Sequence, residues 1–177
     1  MPELTNIFLV GFSGVGKTST ADCIREKFDI KSYDLDRLIE ASSKKTIRQI
    51  FDEDGEEQFR ILEKTNLFLT NECKGIVLSC GGGAVIDQDN VNYMKRFGRI
   101  LWLDASADII YERICHDDGR PLIRTKSINE IKLMKQKRDE IYSNICDYRI
   151  NTDSLTTYEA AEKVMEYYES INRTGQS

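Results

Sequence analysis

Residues Gly11-Phe12-Ser13-Gly14-Val15-Gly16-Lys17-Thr18 follow the pattern GxxxxGK[ST]. Glycines at this spacing let the backbone wrap so that successive N–H groups face one phosphate group. A helix opening at Lys17 adds the partial positive charge of its N-terminus. The Lys17 ammonium can then reach the outer phosphates, and the Thr18 hydroxyl can ligate magnesium. The spacing therefore predicts a nucleotide site made by Gly14, Val15, Gly16, Lys17, Thr18 and Ser19. The guanine-reading pattern [NT]KxD is missing, because Thr125-Lys126 leads only into Ser127-Ile128. ATP is accordingly the expected nucleotide.

Asp34-Leu35-Asp36 supplies two carboxylates two residues apart. On a strand, residues i and i+2 point to the same face. Read as the end of a strand, the pair would turn both carboxylates to the crevice where open α/β sheets bind ligands. One acid would order magnesium through water, and the other would accept a substrate hydroxyl and take its proton. The competing reading is a solvated acidic turn that caps the next helix. Gly81-Gly82-Gly83 follows directly on the apolar run Gly75 to Cys80. Without Cβ atoms these residues allow a ligand to approach the backbone; the alternative is a flexible strand-to-helix turn.

Three arginines are candidates for anion binding. Arg138 falls in the apolar stripe Ile131, Met134, Ile141, Ile145, and an inward-facing guanidinium needs an anionic partner, either a ligand or a structural acid. Arg60 lies four residues after Glu56 and three before Glu63, so a surface ion pair is the plain alternative. Arg120, before Pro121, sits in a segment able to close over a phosphate, although loop arginines are usually just solvated. The single histidine, His116, shares that segment and reads as solvent-exposed.

These groups need a scaffold, and the hydrophobic pattern supplies one. Short apolar runs at Asn6–Val10, Gly75–Cys80 and Arg99–Asp104 read as buried strands, and Lys31–Asp36 and Tyr148–Asn151 are further short strand candidates. Helical patterns lie between them: Lys17–Phe28, Thr46–Phe51, Glu56–Glu72, a helix capped by Ser106 and carrying Ile109, Ile110 and Ile114, and Tyr158–Ile171. A long helix follows Ser127-Ile128-Asn129-Glu130, which fits a capping box. Alternation of this kind predicts a three-layer α/β/α domain on a parallel sheet. The unpatterned stretch 115–126 holds Gly119 and Pro121 and reads as a lid.

The chain has 177 residues, net charge −5 and 31% charged residues. This is the balance of one globular domain, and its acidity argues against a general nucleic-acid binder. The five cysteines include no CxxC pair, which disfavours both a zinc site and a disulfide framework. No apolar run approaches the roughly 18 residues of a membrane span, and Met1-Pro2-Glu3 does not begin a signal peptide. A cytoplasmic protein without membrane or nucleic-acid partners is expected.

The motifs taken together resemble the shikimate kinase family over nearly the whole chain. Many families share the phosphate loop. The combination of GxxxxGKT, Asp34-Leu35-Asp36, the run from Asp54 to Arg60 (DGEEQFR), the triple glycine, Arg120-Pro121-Leu122 and Arg138 four residues before Tyr142 is what carries the likeness. It implies a P-loop NTPase fold with a five-stranded parallel sheet, a single domain over 1–177, a substrate-binding helical segment at about 34–62 and a mobile lid at about 115–126. It implies ATP-dependent, magnesium-requiring phosphorylation of shikimate to shikimate 3-phosphate, a step toward chorismate and the aromatic amino acids. By the same resemblance Asp36 holds the hydroxyls, Arg60 and Arg138 hold the ring carboxylate, and Gly81, Gly82 and Gly83 line the substrate. Lys17 and Arg120 stabilise the transferring phosphoryl group, Thr18 ligates magnesium, and Asp34 contacts the metal's water shell. A monomer is expected. The segment Thr152 to Thr156 departs from the family's pattern near adenine, so no adenine contact is implied. The rival readings are a gluconate or nucleoside-monophosphate kinase of the same fold, or a non-catalytic ATP-binding regulator.

Overall fold

The computed structural model describes residues 5–115 and 126–173. Among them the elements run β1 (Asn6–Val10), α1 (Lys17–Lys27), β2 (Ser32–Asp34), α2 (Leu35–Ser43), α3 (Ile47–Gln49), a π-helical turn (Ile50–Asp54) and α4 (Gly55–Phe68). A 3-10 turn (Leu69–Glu72), β3 (Val77–Ser79), a second 3-10 turn (Ala84–Ile86), α5 (Gln88–Phe97), β4 (Gly98–Asp104) and α6 (Ala107–Cys115) follow. The chain ends with α7 (Ile128–Ile145), β5 (Tyr148–Asn151) and α8 (Thr157–Arg173).

The five strands form one sheet in the order β2-β3-β1-β4-β5, and every adjacent pair is parallel. β1 sits at the centre, with Ile7 opposite Val77 on one side and Arg99 on the other. Its alternate residues feed two cores. Ile7 and Leu9 join Ile24, Leu101, Leu103, Ile110, Val164 and Met165 on one face. Phe8 and Val10 join Leu35, Ile39, Leu67, Leu78, Met94, Ile100 and Trp102 on the other. Every residue of β1 is buried, so a continuous apolar run is what the position demands. Each such side chain contributes roughly 1.5–3 kcal/mol by leaving water. The result is the expected three-layer α/β/α arrangement. No helix among the described residues is long and apolar enough to cross a membrane.

The helix starts follow the caps written in the sequence. Ser127 accepts from the Glu130 N–H while Glu130 reaches back to the Ser127 N–H, and Ser106 Oγ accepts from the Ile109 N–H. Three details differ from the pattern reading. β2 ends at Asp34, because the Asp34 side chain accepts the Arg37 N–H and caps α2; Asp36 is therefore in the first helical turn and not on the strand. The buried face of α7 runs through Ile131, Lys135 and Tyr142, while Met134 is exposed. The face turned there because Lys135 finds two acids to pair with. The stretch between α3 and α4 widens into a π turn, closed by the Gly55 N–H donating to the Ile50 carbonyl. Residues 116–125 of the expected lid, with His116 and Arg120, lie outside the described residues.

Candidate active site

The candidate groups among the described residues gather at the C-terminal ends of the strands, where open α/β sheets bind ligands. The loop after β1 closes at Gly16 with φ 97, a left-handed conformation that favours glycine. A Cβ at Gly16 would meet nothing within 4 Å, so the demand is conformational and not steric. α1 opens with no side-chain cap and no acid in its first turn, which leaves its N–H groups and positive dipole end to an anion. Lys17 is buried, and its Nζ donates to the carbonyls of Gly11 at 2.8 Å and Phe12 at 3.0 Å.

Thr18 projects from the first turn of α1 toward β2. Its hydroxyl donates to Asp34 Oδ2 at 2.7 Å, and Ser79 at the end of β3 donates to the same oxygen at 2.9 Å. A buried carboxylate is thus held by two hydroxyls beside the phosphate loop. Hard oxygen donors of this kind, few in number, fit magnesium, which keeps waters and takes its remaining ligands from phosphates.

The glycine turn 81–83 joins the two halves of the site. None of its three glycines has a positive φ, so packing accounts for their identity. A Cβ at Gly81 would lie 2.9 Å from Glu63 Oε1 and 3.4 Å from Asp36 Oδ1. At Gly82 it would lie 3.3 Å from the Gly11 carbonyl, 3.6 Å from the Ser13 nitrogen and 3.7 Å from the Tyr142 hydroxyl. At Gly83 it would fall 2.6–2.9 Å from the Arg60 guanidinium. The phosphate loop therefore touches the middle glycine, while Asp36 and Arg60 touch its neighbours.

Arg60 donates to Glu63 at 2.8 Å and to Glu56 at 3.1 Å. The Glu63 pair is no surface bridge, since that carboxylate is 1% exposed. Burial pushes the Glu63 carboxyl above its usual range, and the hydrogen bond from Arg60 pulls part of that back. Arg138 is half-buried, its Nη1 is enclosed without a hydrogen-bond partner, and it forms no ion pair among the described residues. No structural acid among the described residues accounts for its inward position. Cys80, next to the turn, is fully buried, and desolvation raises its thiol well above the ordinary value; it stays protonated and is no nucleophile.

On the other side of the phosphate loop lies a cavity of about 440 Å³ lined by Gly14, Gly16, Ser19, Arg113, Thr152 and Thr156, among others. Arg113 donates to the Thr152 carbonyl at 3.0 Å and approaches the Val15 carbonyl at 3.5 Å. Its opening at the phosphate loop suits the base and sugar of a nucleotide.

The structure thus brings together Lys17, Thr18, Asp34, Asp36, Arg60, Gly81, Gly82 and Gly83, with Tyr142 linking the helix of Arg138 to the turn. Sequence reasoning missed Arg113, carried no adenine contact over to the segment Thr152 to Thr156 that lines this cavity, and treated Glu63 only as a surface partner. Arg113 carries a readable trace, since it lies on the helix that leads into the expected lid. Nothing in the local pattern marks the burial of Glu63.

Comparison with known proteins places this geometry. The family described as shikimate kinase matches residues 13–169. The shikimate kinase of Caldicellulosiruptor saccharolyticus is 40% identical over 167 residues, covering 93% of this chain and 96% of that protein. That of Sulfurihydrogenibium sp. is 35% identical over 162 residues, covering 92% and 96%. Among solved structures, shikimate kinase from Acinetobacter baumannii in complex with shikimate superposes with a TM-score of 0.85 at 30% identity, covering 95% of this chain and 94% of that one.

Proposed function

The chain belongs to the shikimate kinase family, and from that premise we propose how its own residues carry out the reaction. The protein is a phosphotransferase that phosphorylates shikimate with ATP, in aromatic amino acid biosynthesis. One observation carries the assignment of roles. The turn Gly81–Gly83 packs on the phosphate loop through its middle residue and on Asp36 and Arg60 through its outer ones. A substrate lying on this turn meets the donor phosphates on one side and the acid and arginine on the other.

Shikimate is a small anion with several hydroxyls. Arg60 and Arg138 pair with its carboxylate, for which planar guanidinium groups are suited. Asp36 accepts the hydrogen bond of the reacting hydroxyl and takes its proton. Phosphoryl transfer passes through a loose transition state, so alignment and charge count for more than a strong base. Gly14, Val15, Gly16 and Ser19 hold the nucleotide with the Lys17 ammonium over its outer phosphates. Arg120, assigned by resemblance, stabilises the phosphoryl group in flight, and Arg120→Ala should lower kcat far more than it weakens shikimate binding.

Thr18 and Asp34 fit magnesium, Thr18 directly and Asp34 through water. The bound ion would neutralise charge on the phosphates. A cytoplasmic location and a monomeric state belong to the same reading.

The deciding experiment measures ADP release with and without shikimate, at fixed ATP and magnesium. Release should rise steeply on adding shikimate. Equal release without it, or a stronger response to gluconate or a nucleoside monophosphate, would sink the reading.

A further inference from the structure

Arg138 has no ion pair of its own among the described residues, yet it must present a guanidinium in one geometry. The helix that carries it is pinned one turn on either side, to the sheet upstream and to the glycine turn downstream. Upstream, Lys135 is buried on α7 and its ammonium pairs with Asp104, the last residue of β4, at 2.8 Å. It also pairs with Asp139 on the next turn. Downstream, the buried Tyr142 donates its hydroxyl to the Gly82 carbonyl at 2.8 Å. Residues 135, 138 and 142 are spaced i, i+3 and i+7, so they share one face of the helix. Beneath them lies Trp102, with its ring 5.7 Å from that of Tyr142 and 6.0 Å from the Lys135 ammonium.

Asp104 is a firm anchor. It is 3% exposed, its carboxylate also receives Arg149 at 2.5 Å, and its carbonyl accepts the Thr152 N–H at 2.7 Å. A lysine 8% exposed is a costly residue to bury unless its pairing matters. An apolar residue would fill that place on α7 with less desolvation. The charge instead gives the pin direction, because it holds the helix at one rotation against the end of β4.

We propose that Lys135 is a positioning residue for shikimate binding: its ion pair with Asp104 sets the rotation of α7 and so aims Arg138 at the substrate carboxylate. This deepens the assignment of Arg138 made above and rests on it. The Lys135 ammonium is committed to Asp104 and Asp139, so its effect passes through the helix to Arg138.

A double-mutant cycle tests this, with calorimetric titration of shikimate and, separately, of a non-hydrolysable ATP analogue. Lys135→Met should weaken shikimate binding about tenfold and leave the ATP analogue unchanged. In the Arg138→Met background the same change should have almost no further effect, since coupled residues are non-additive. Asp104→Asn, which keeps the backbone bond to Thr152, should reproduce the Lys135→Met result and covers the case of a poorly folding lysine variant. Equal losses from Lys135→Met in both backgrounds, or parallel weakening of both ligands, would overturn the positioning role while leaving Arg138 as a ligand. If Arg138→Met alone leaves shikimate affinity intact, the assignment of Arg138 falls and the proposal with it.

Discussion

The Thr18 hydroxyl donates to Asp34 Oδ2 at 2.7 Å, tying the first turn of the phosphate-loop helix to the end of β2. The same carboxylate caps α2 through its other oxygen, which accepts the Arg37 N–H at 3.2 Å. One side chain thus serves metal geometry and helix initiation, and the two roles separate by substitution. Asparagine is also a good N-cap, so Asp34→Asn should keep the melting temperature close to wild type. It should raise the magnesium concentration needed for half-maximal activity by about 10–100-fold, the range for groups that orient metal ligands. Asp34→Ala should add a loss of about 1 kcal/mol in stability. Magnesium titrations of turnover with thermal melts would settle it; an unchanged magnesium requirement in both variants would remove Asp34 from the metal's surroundings.

Arg138 is half-buried and lacks an internal acid among the described residues. Arg138→Met should therefore leave the apo protein about as stable as before, or slightly more so. Shikimate binding should weaken by roughly 2–5 kcal/mol, as when one partner of a hydrogen-bonded charge pair is truncated. Arg138→Lys should recover only part of that, since an ammonium lacks the planar fork. A large loss of apo stability with normal affinity would make the residue structural.

The turn glycines differ in what stands against them. At Gly83 the obstacle is the far end of Arg60, 2.6 Å from a Cβ, and a flexible side chain can swing away. Gly83→Ala should cost little stability but raise KM for shikimate several-fold by displacing Arg60. At Gly82 the nearest atom is the Gly11 carbonyl at 3.3 Å, backbone of the phosphate loop, so Gly82→Ala should disturb KM for ATP as well. Steady-state kinetics that show the same profile for both variants would contradict this division.

Glu63 gives a pH signature. Burial raises its carboxyl above the usual value of 4.5, against the pull of Arg60. Between 4.5 and the raised value the folded state holds a proton that the unfolded chain has released. Its contribution to stability is therefore full below 4.5 and is lost as pH rises through the folded pKa. Glu63→Gln should flatten this decline in melting temperature with pH. Parallel pH curves for wild type and variant would show that Glu63 does not titrate in that window.

Arg113 lines the 440 Å³ cavity and donates to the Thr152 carbonyl. Arg113→Ala should raise KM for ATP several-fold with the shikimate dissociation constant unchanged. Equal effects on both substrates would place its role in folding and not in nucleotide binding.

Much of this protein can be read without its fold. The phosphate loop announces itself because backbone wrapping, a helix start and a lysine must be adjacent in sequence to act together. The strands and caps are legible for the same reason: three short apolar runs, Ser106 before α6 and Ser127 before Glu130 are all local signals. The grouping of Asp34, Asp36, Arg60 and Gly81–Gly83 emerged from motif order and resemblance, not from any contact the chain order reveals.

What tertiary structure decided is which of several locally equivalent options each residue took. Asp-x-Asp suits a strand end or a helix cap equally well, and packing of Leu35 into the core put the boundary at Asp34, with Asp36 turned toward Gly81. The stripe on α7 could pass through Met134 or Lys135. It passes through Lys135 because Asp104, 31 residues earlier on β4, offers a buried carboxylate at 2.8 Å. Hydrophobic periodicity cannot register such a choice, since it scores a lysine as polar whatever awaits it. Glu63 and Arg113 went unread on the same ground. Burial and partner choice are properties of segments brought together from distant parts of the chain, and only the folded sheet brings them together.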